Sequence, residues 1–228
     1  MYHKIFFVFI SLFSMYGFKL LTPGKWKISE ADPTIWIRLC SEMKNGTISK
    51  NDVPAGDVLS GATVTGASAL VSIMNDFNNV NSAYIRFAAY PDDPANPGTA
   101  QPGDSTFTQA RAERRTIDVC YNDPTNPFQG GGAQLDESGD DIIGCNIKIT
   151  DSAKKSLKEY VRTLTHELGH CAGLDHPQET KHAIMSYFAD SKKLRLMTDD
   201  KMGLVFIYPK AGVDMKERVN FGLGCSRN

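Results

Sequence analysis

THELGHCAGLDHPQETKHAIMSY, residues Thr165–Tyr187, holds four of the chain's five histidines. Imidazole is the commonest protein ligand for transition metals, so this crowding points first to a metal centre. The run 152–173, SAKKSLKEYVRTLTHELGHCAG, carries Leu157, Tyr160, Val161, Leu164, Leu168 and Cys171 on one stripe at 100° per residue. His166 and His170, four apart, fall together on the opposite side. The spacing predicts a helix that buries one face and presents two imidazoles to a cleft. Thr150 or Asp151 is its expected N-cap. Cys171 lies on the buried stripe and reads as structural, not as a reactive thiol.

Two histidines one turn apart can share a zinc ion. Glu167, beside the first, can reach a water on that ion without being a ligand itself. Gly173 suits the left-handed turn that ends a helix, and His176, three residues on, can swing back as a third ligand. Three protein ligands leave a position open for water, the mark of a catalytic site rather than a closed structural one.

HELGHCAGLDH (166–176) resembles the HExxHxxGxxH signature of the metzincin zinc endopeptidases. AIMSY (183–187) resembles their Met-turn, with Met185 as the methionine packed beneath the metal. MTDDKMGLVFIYP (197–209) is similar to the helix that closes the catalytic domain of matrixins and serralysins. Thr198 is its expected cap, with Met202, Val205 and Phe206 as its buried side. Pro177 and Tyr187 lean toward the serralysins, and the short span from His176 to Met185 leans toward the matrixins.

The resemblance implies hydrolysis of internal peptide bonds. One catalytic zinc on His166, His170 and His176 would lower the pKa of its water and polarise the scissile carbonyl. Glu167 would take the water's proton and pass it to the leaving amine. Substrate would lie extended against an edge strand near GGGAQLDE (130–137). Tyr187 carries two readings. In astacins and serralysins a tyrosine two residues after the Met-turn methionine ligates the resting zinc and later hydrogen-bonds the tetrahedral intermediate; alternatively, it lines the wall below the cleft. With no histidine between His3 and His166, the second, structural zinc of matrixins is not expected. Asp- and Asn-rich loops at 91–104 and 122–141 suit either calcium or plain turn chemistry.

Upstream of the helix, TIWIRLC (34–40) alternates as a strand, and GASALVSIMNDFNNV (66–80) places Ala67, Leu70, Val71, Met74 and Phe77 at helical spacing. AYIRFAAY (83–90), RTIDVCY (115–121), residues near Ala133–Leu135 and CNIKIT (145–150) read as further strands. The expected fold is α+β and metzincin-like: a twisted mixed sheet packed on the active-site helix, with a small C-terminal lower lobe that includes a closing helix.

The N-terminus has a positive start and an apolar run, IFFVFISLFSMYGF (5–18), shorter than the ~20 residues a membrane-spanning helix needs. It reads as a secretory signal over 1–20, with an uncleaved membrane anchor as the alternative. Residues 21–33 are then a linker or propeptide-like segment, and 34–228 the catalytic domain. Within that segment Glu30 or Asp32 is a candidate carboxylate plug for the zinc, against a solvated linker. Cys40 is a candidate thiolate plug, although its place in a predicted strand argues against it. Five cysteines, at 40, 120, 145, 171 and 225, suit an exported, disulfide-bearing protein with one left over. A net charge of −1 without a basic stripe argues against nucleic acid as a partner. A secreted or periplasmic monomer acting on protein or peptide is expected. The rival from another class is a catalytically silent zinc-binding adhesion protein on the same fold. The presence of Glu167 counts against it.

Overall fold

The computed structural model describes residues 19–20, 24–40, 47–90, 115–121, 131–150, 156–177, 180–187 and 192–213. The expectations for residues 1–18, the loop 91–104, residues 122–130, Asp151 and Cys225 lie outside them.

One mixed sheet forms the body. Strands β2 (Lys25–Trp26), β3 (Thr34–Leu39), β4 (Arg86–Ala89), β5 (Thr116–Tyr121) and β7 (Asp141–Ile149) run parallel in the order β2-β7-β5-β3-β4. Strand β6 (Gly131–Ser138) pairs antiparallel with β7, shifting register at Asp136/Glu137. Parallel strands are covered on both faces and read as continuous apolar runs. Accordingly Ile117, Val119 and Cys120 are buried together with Thr116 and Asp118. The buried Asp118 carboxylate accepts from Arg38 on the neighbouring strand at 2.9 Å.

Helix α1 (Gly66–Asn78) starts at Thr65, whose hydroxyl and the Ser68 side chain form a reciprocal capping box. Its buried side is Gly66, Ala69, Leu70, Ile73, Met74 and Phe77, rotated from the expected stripe so that Val71 faces solvent. Helix α2 (Leu157–Cys171) buries the whole expected stripe against β6 and β7. Its N-cap is Ser156, not Thr150. The Asp52 carboxylate accepts from Ser156 Oγ and Lys158 N, and Lys50 O accepts from Leu157 N. Contacts from more than a hundred residues away thus set where this helix begins.

Two disulfides fasten the layers: Cys40–Cys120 across adjacent strands, and Cys145–Cys171 from β7 to the end of α2. Cys171 is structural, as its stripe predicts. Cys40, being bonded, cannot act as a thiolate plug. The carboxylate candidates are engaged elsewhere too: Asp32 pairs with Arg115 at 2.6 Å, and Glu30 accepts from Ala211 N.

The segment expected as a linker is partly built into the fold. Trp26 is 1% exposed; its indole donates to Cys171 O at 2.7 Å, and its backbone N–H donates to Tyr208 Oη. Tyr208 Oη in turn donates to Ala172 O. Further upstream, β1 (Lys19–Leu20) pairs antiparallel with β8 (Leu174–Asp175), just past α2. The closing helix α3 (Thr198–Ile207) begins at Thr198 with Met197 as its cap residue, so Thr198 is not the cap. It buries Asp200, Gly203 and Leu204, whereas Phe206 is half exposed and Met202 and Val205 are only partly covered. No helix among the described residues is long and apolar enough to cross a membrane.

Candidate metal centre

The helical period of α2 brings His166 and His170 to one face, and the turn at Gly173 returns the chain so that His176 joins them. Gly173 has φ +91°, a conformation L side chains rarely adopt. A Cβ there would also stand 2.7 Å from Gly24 O, so the turn needs glycine twice over. His176 Nε2 lies 2.9 Å from His166 Nε2 and 3.1 Å from His170 Nε2. Among the described residues this trio is the group that could hold a metal ion.

The outward nitrogens show what the inward ones do. His166 Nδ1 is 2.9 Å from Ile184 O, and His170 Nδ1 is 2.9 Å from Leu174 O. A carbonyl only accepts, so each Nδ1 carries the proton and each Nε2 offers a lone pair. Burial and then the neighbouring imidazoles push His166 and His170 down to about 4, which keeps both neutral. Unprotonated nitrogens this close repel one another unless a cation lies among them. Two neutral imidazoles with fixed tautomers and a third ring brought against them by its Nε2 fit zinc, whose usual ligands include histidine nitrogen.

Glu167 is 7% exposed and accepts a hydrogen bond from the backbone N–H of Ala133 on β6. Burial raises its carboxyl to about 7, opposed by that N–H. Glu167 and the three histidines line one cleft of about 510 Å³, with β6 as its far wall. Tyr187 lines it too, 67% exposed, its ring stacked on His176 at 4.1 Å between centroids.

Met185 is 1% exposed and packs against α2 at Gly169. Its sulfur occupies the place a side chain on Gly169 would need, which is why a glycine interrupts the helix between Leu168 and His170. The turn holding Met185 hangs on Asp200, itself 1% exposed, whose carboxylate accepts from Ile184 N at 2.8 Å, Met185 N at 3.3 Å and Met197 N at 2.8 Å. Burial raises Asp200 to about 6, with those donors pulling the other way. Asp175 accepts from His176 N at 2.7 Å and steadies the third imidazole.

Sequence reasoning named the three histidines, Glu167, Met185 and Tyr187, and all six come together. It assigned no role to Asp200, Asp175, Gly169 or the Ala133 N–H. Only the adjacent Asp199-Asp200 pair offered a signal, because acidic residues in a helix's first turn are ordinary capping chemistry.

The matrixin family model matches residues 95–209, just over half of the chain. No curated protein matches significantly. A solved structure titled "Structure of myroilysin" is similar at 15% identity and a TM-score of 0.43, over 84% of this chain and 98% of that one, too loose a likeness to support a conclusion.

Proposed function

Because the chain belongs to the matrixin family and is a zinc metalloendopeptidase, we propose that it is an exported enzyme with one catalytic zinc on His166, His170 and His176. Glu167 is its general base. One observation carries this reading: the Nε2 atoms of the three histidines meet at a common point in a cleft that also holds a buried carboxylate. When bound, zinc supplies Lewis acidity toward water and toward the scissile carbonyl.

The chain's own residues supply the rest. Glu167 takes the attacking water's proton on its carboxylate and delivers it to the leaving amine. Its carboxyl must be ionised to start, so activity falls as pH drops through its pKa; a cation bound nearby moves that pKa below about 7. Strand β6 pairs only with β7 among the described residues, leaving an edge to which an extended peptide can add. Tyr187 serves as hydroxyl donor to the carbonyl oxygen as it gains charge, consistent with its exposed ring at the cleft.

Glu167→Gln should keep zinc and thermal stability while losing at least about 10²–10⁴-fold in peptidase rate. Parent activity should vanish with a chelator and return with zinc. Parent-like turnover by a metal-replete Glu167→Gln enzyme would refute the base, and indifference to chelation would refute the metal.

Export is read from the charged start and the apolar run 5–18. Lys19–Leu20 pairs with β8, so signal removal is expected before Lys19, and the catalytic domain then extends upstream of residue 34. N-terminal sequencing of the secreted protein checks this; a first residue beyond Leu20 would overturn it.

A further inference from the structure

The wall of the cleft carries a charge pattern that hydrolysis alone does not require. Arg162 lies four residues before His166 on α2, so positions 162, 166 and 170 share one stripe, and Arg162 lines the same cleft one turn from the metal site. Lys148 on β7 lines it as well. In the sheet register Lys148 faces Gly132 on β6, which brings no side chain beside it, and Cys120 on β5, which brings no charge.

Neither cation is firmly paired. Lys148 has no ion-pair partner among the described residues. Arg162 approaches Glu159 at 3.7 Å, one turn back on a partly exposed surface, a contact too long for a hydrogen bond and weak as a pair. A guanidinium has five donors, and such a contact engages few of them. Among the described residues the only carboxylate lining the cleft is Glu167, which the chemistry uses.

The cleft also has room beside these groups. Gly131, Gly132 and Ala133 form the facing strand with almost no side chain. A Cβ on Gly131 would stand 2.6 Å from Thr163 Cγ2, so β6 and α2 come close where Arg162 emerges. Bare backbone on one side and one unpaired and one weakly paired cation on the other suit a chain that brings its own negative charge.

We propose that Arg162 and Lys148 form a cationic subsite that selects peptides with a carboxylate side chain, glutamate or aspartate, close to the cleaved bond. The proposal rests on the peptidase reading and names its substrate class. A carboxylate between the two gains charge-assisted hydrogen bonds, with Arg162 able to bind it in bidentate fashion. The same chemistry would also accept a peptide's C-terminal carboxylate, so the test separates the two.

Peptides cleaved by the zinc-loaded full-chain enzyme are remade with Glu, Gln or Lys at each position flanking the bond, each as C-terminal acid and amide. At one position or more, kcat/KM for Glu should exceed that for Gln by about tenfold, in the amide as in the acid. Arg162→Gln and Lys148→Gln should each bring the ratio toward one. The double charge reversal, Arg162→Glu with Lys148→Glu, should make Lys the preferred residue. The ratio is taken within each variant, so a general loss of activity cancels. A Glu-to-Gln ratio within twofold at every position in the parent would overturn the proposal, as would a ratio that both single variants preserve. A preference for the C-terminal acid alone would overturn the side-chain assignment. Cleavage of no peptide at all would refute the peptidase reading itself.

Discussion

Two of the three clustered histidines arrive on a helix, and the third arrives on chain with hardly any secondary structure of its own. Along α2 the spacing of His166 and His170 follows from the helical repeat, and the stripe beneath them is fixed by the core. Between Leu174 and Tyr187 the described regular structure is the two-residue β8, yet this stretch must aim His176, seat Met185 and present Tyr187. Its geometry is imposed from outside: by the conformation of Gly173, by the space left at Gly169, by Asp175, and by Asp200 on α3. A periodic element carries its geometry within itself, whereas an irregular one borrows it from its neighbours.

If that contrast is right, the largest effect on stability belongs to the loop side. Asp200→Ala strands three backbone donors, two of them buried, and is expected to cost about 4 kcal/mol, at ~1–3 kcal/mol per unsatisfied group with partial relief from water. Zinc should then pass more readily to a competing chelator, because Ile184, whose carbonyl orients His166, loses its anchor. Thermal unfolding and chelator competition measure both. A loss no greater than that of a helix-cap variant would break the comparison.

The next effect is on rate. Tyr187→Phe keeps the ring stacked on His176 and deletes only the hydroxyl, so kcat should fall by about a hundredfold, the cost of one oxyanion donor, with zinc content and Tm unchanged. A rate within a few-fold of the parent would leave Tyr187 as wall.

The smallest effect belongs to the helix side. Asp52→Asn weakens the cap of α2 and should cost about 1 kcal/mol, since the helix is already held along its buried face. Burial disfavours the ionised form of Asp52, but Ser156 and the Lys158 N–H together hold its pKa below the usual 3.8. A depressed carboxyl stabilises the fold above its unfolded pKa and loses that contribution as pH falls through the folded value. The gap between parent and Asp52→Asn, followed by denaturant unfolding, should therefore be full at pH 7 and close below about pH 4. A gap that persists undiminished in acid would assign the effect to packing instead.

The same division governs what could be read from the residues alone. The stripe of α2 and its two histidines were legible because a strong amphipathic period has few alternative readings. On α1 the apolar Val71 drew the expected stripe the wrong way, for an apolar side chain can stand in solvent while Ala69 and Ile73 take the core. On α3 the contact is made by Gly203 and Leu204 around the buried Asp200, a face with little apolar contrast, and Phe206 stays outside. The local pattern sets the start of α2 too early because its cap is completed by Asp52 and Lys50, partners that pattern does not reveal. The Cys145–Cys171 bond is closer to view: Cys171 reads on the buried stripe of its helix and Cys145 in a strand, but the packing that brings them together is not a local pattern.

Trp26 has a bearing on the order in which the molecule assembles. Its two hydrogen-bond partners lie 145 and 182 residues further along, so early-made chain must wait for nearly the last part of the fold before it can dock. Contacts of such separation carry a large loop-closure cost and tend to form late. The end of α2, Gly24 against Gly173, and β1 against β8 all meet at this junction, immediately before His176. The nascent sheet and helix can therefore settle while the third histidine still wanders, and competence to hold a metal would be the final property the chain acquires.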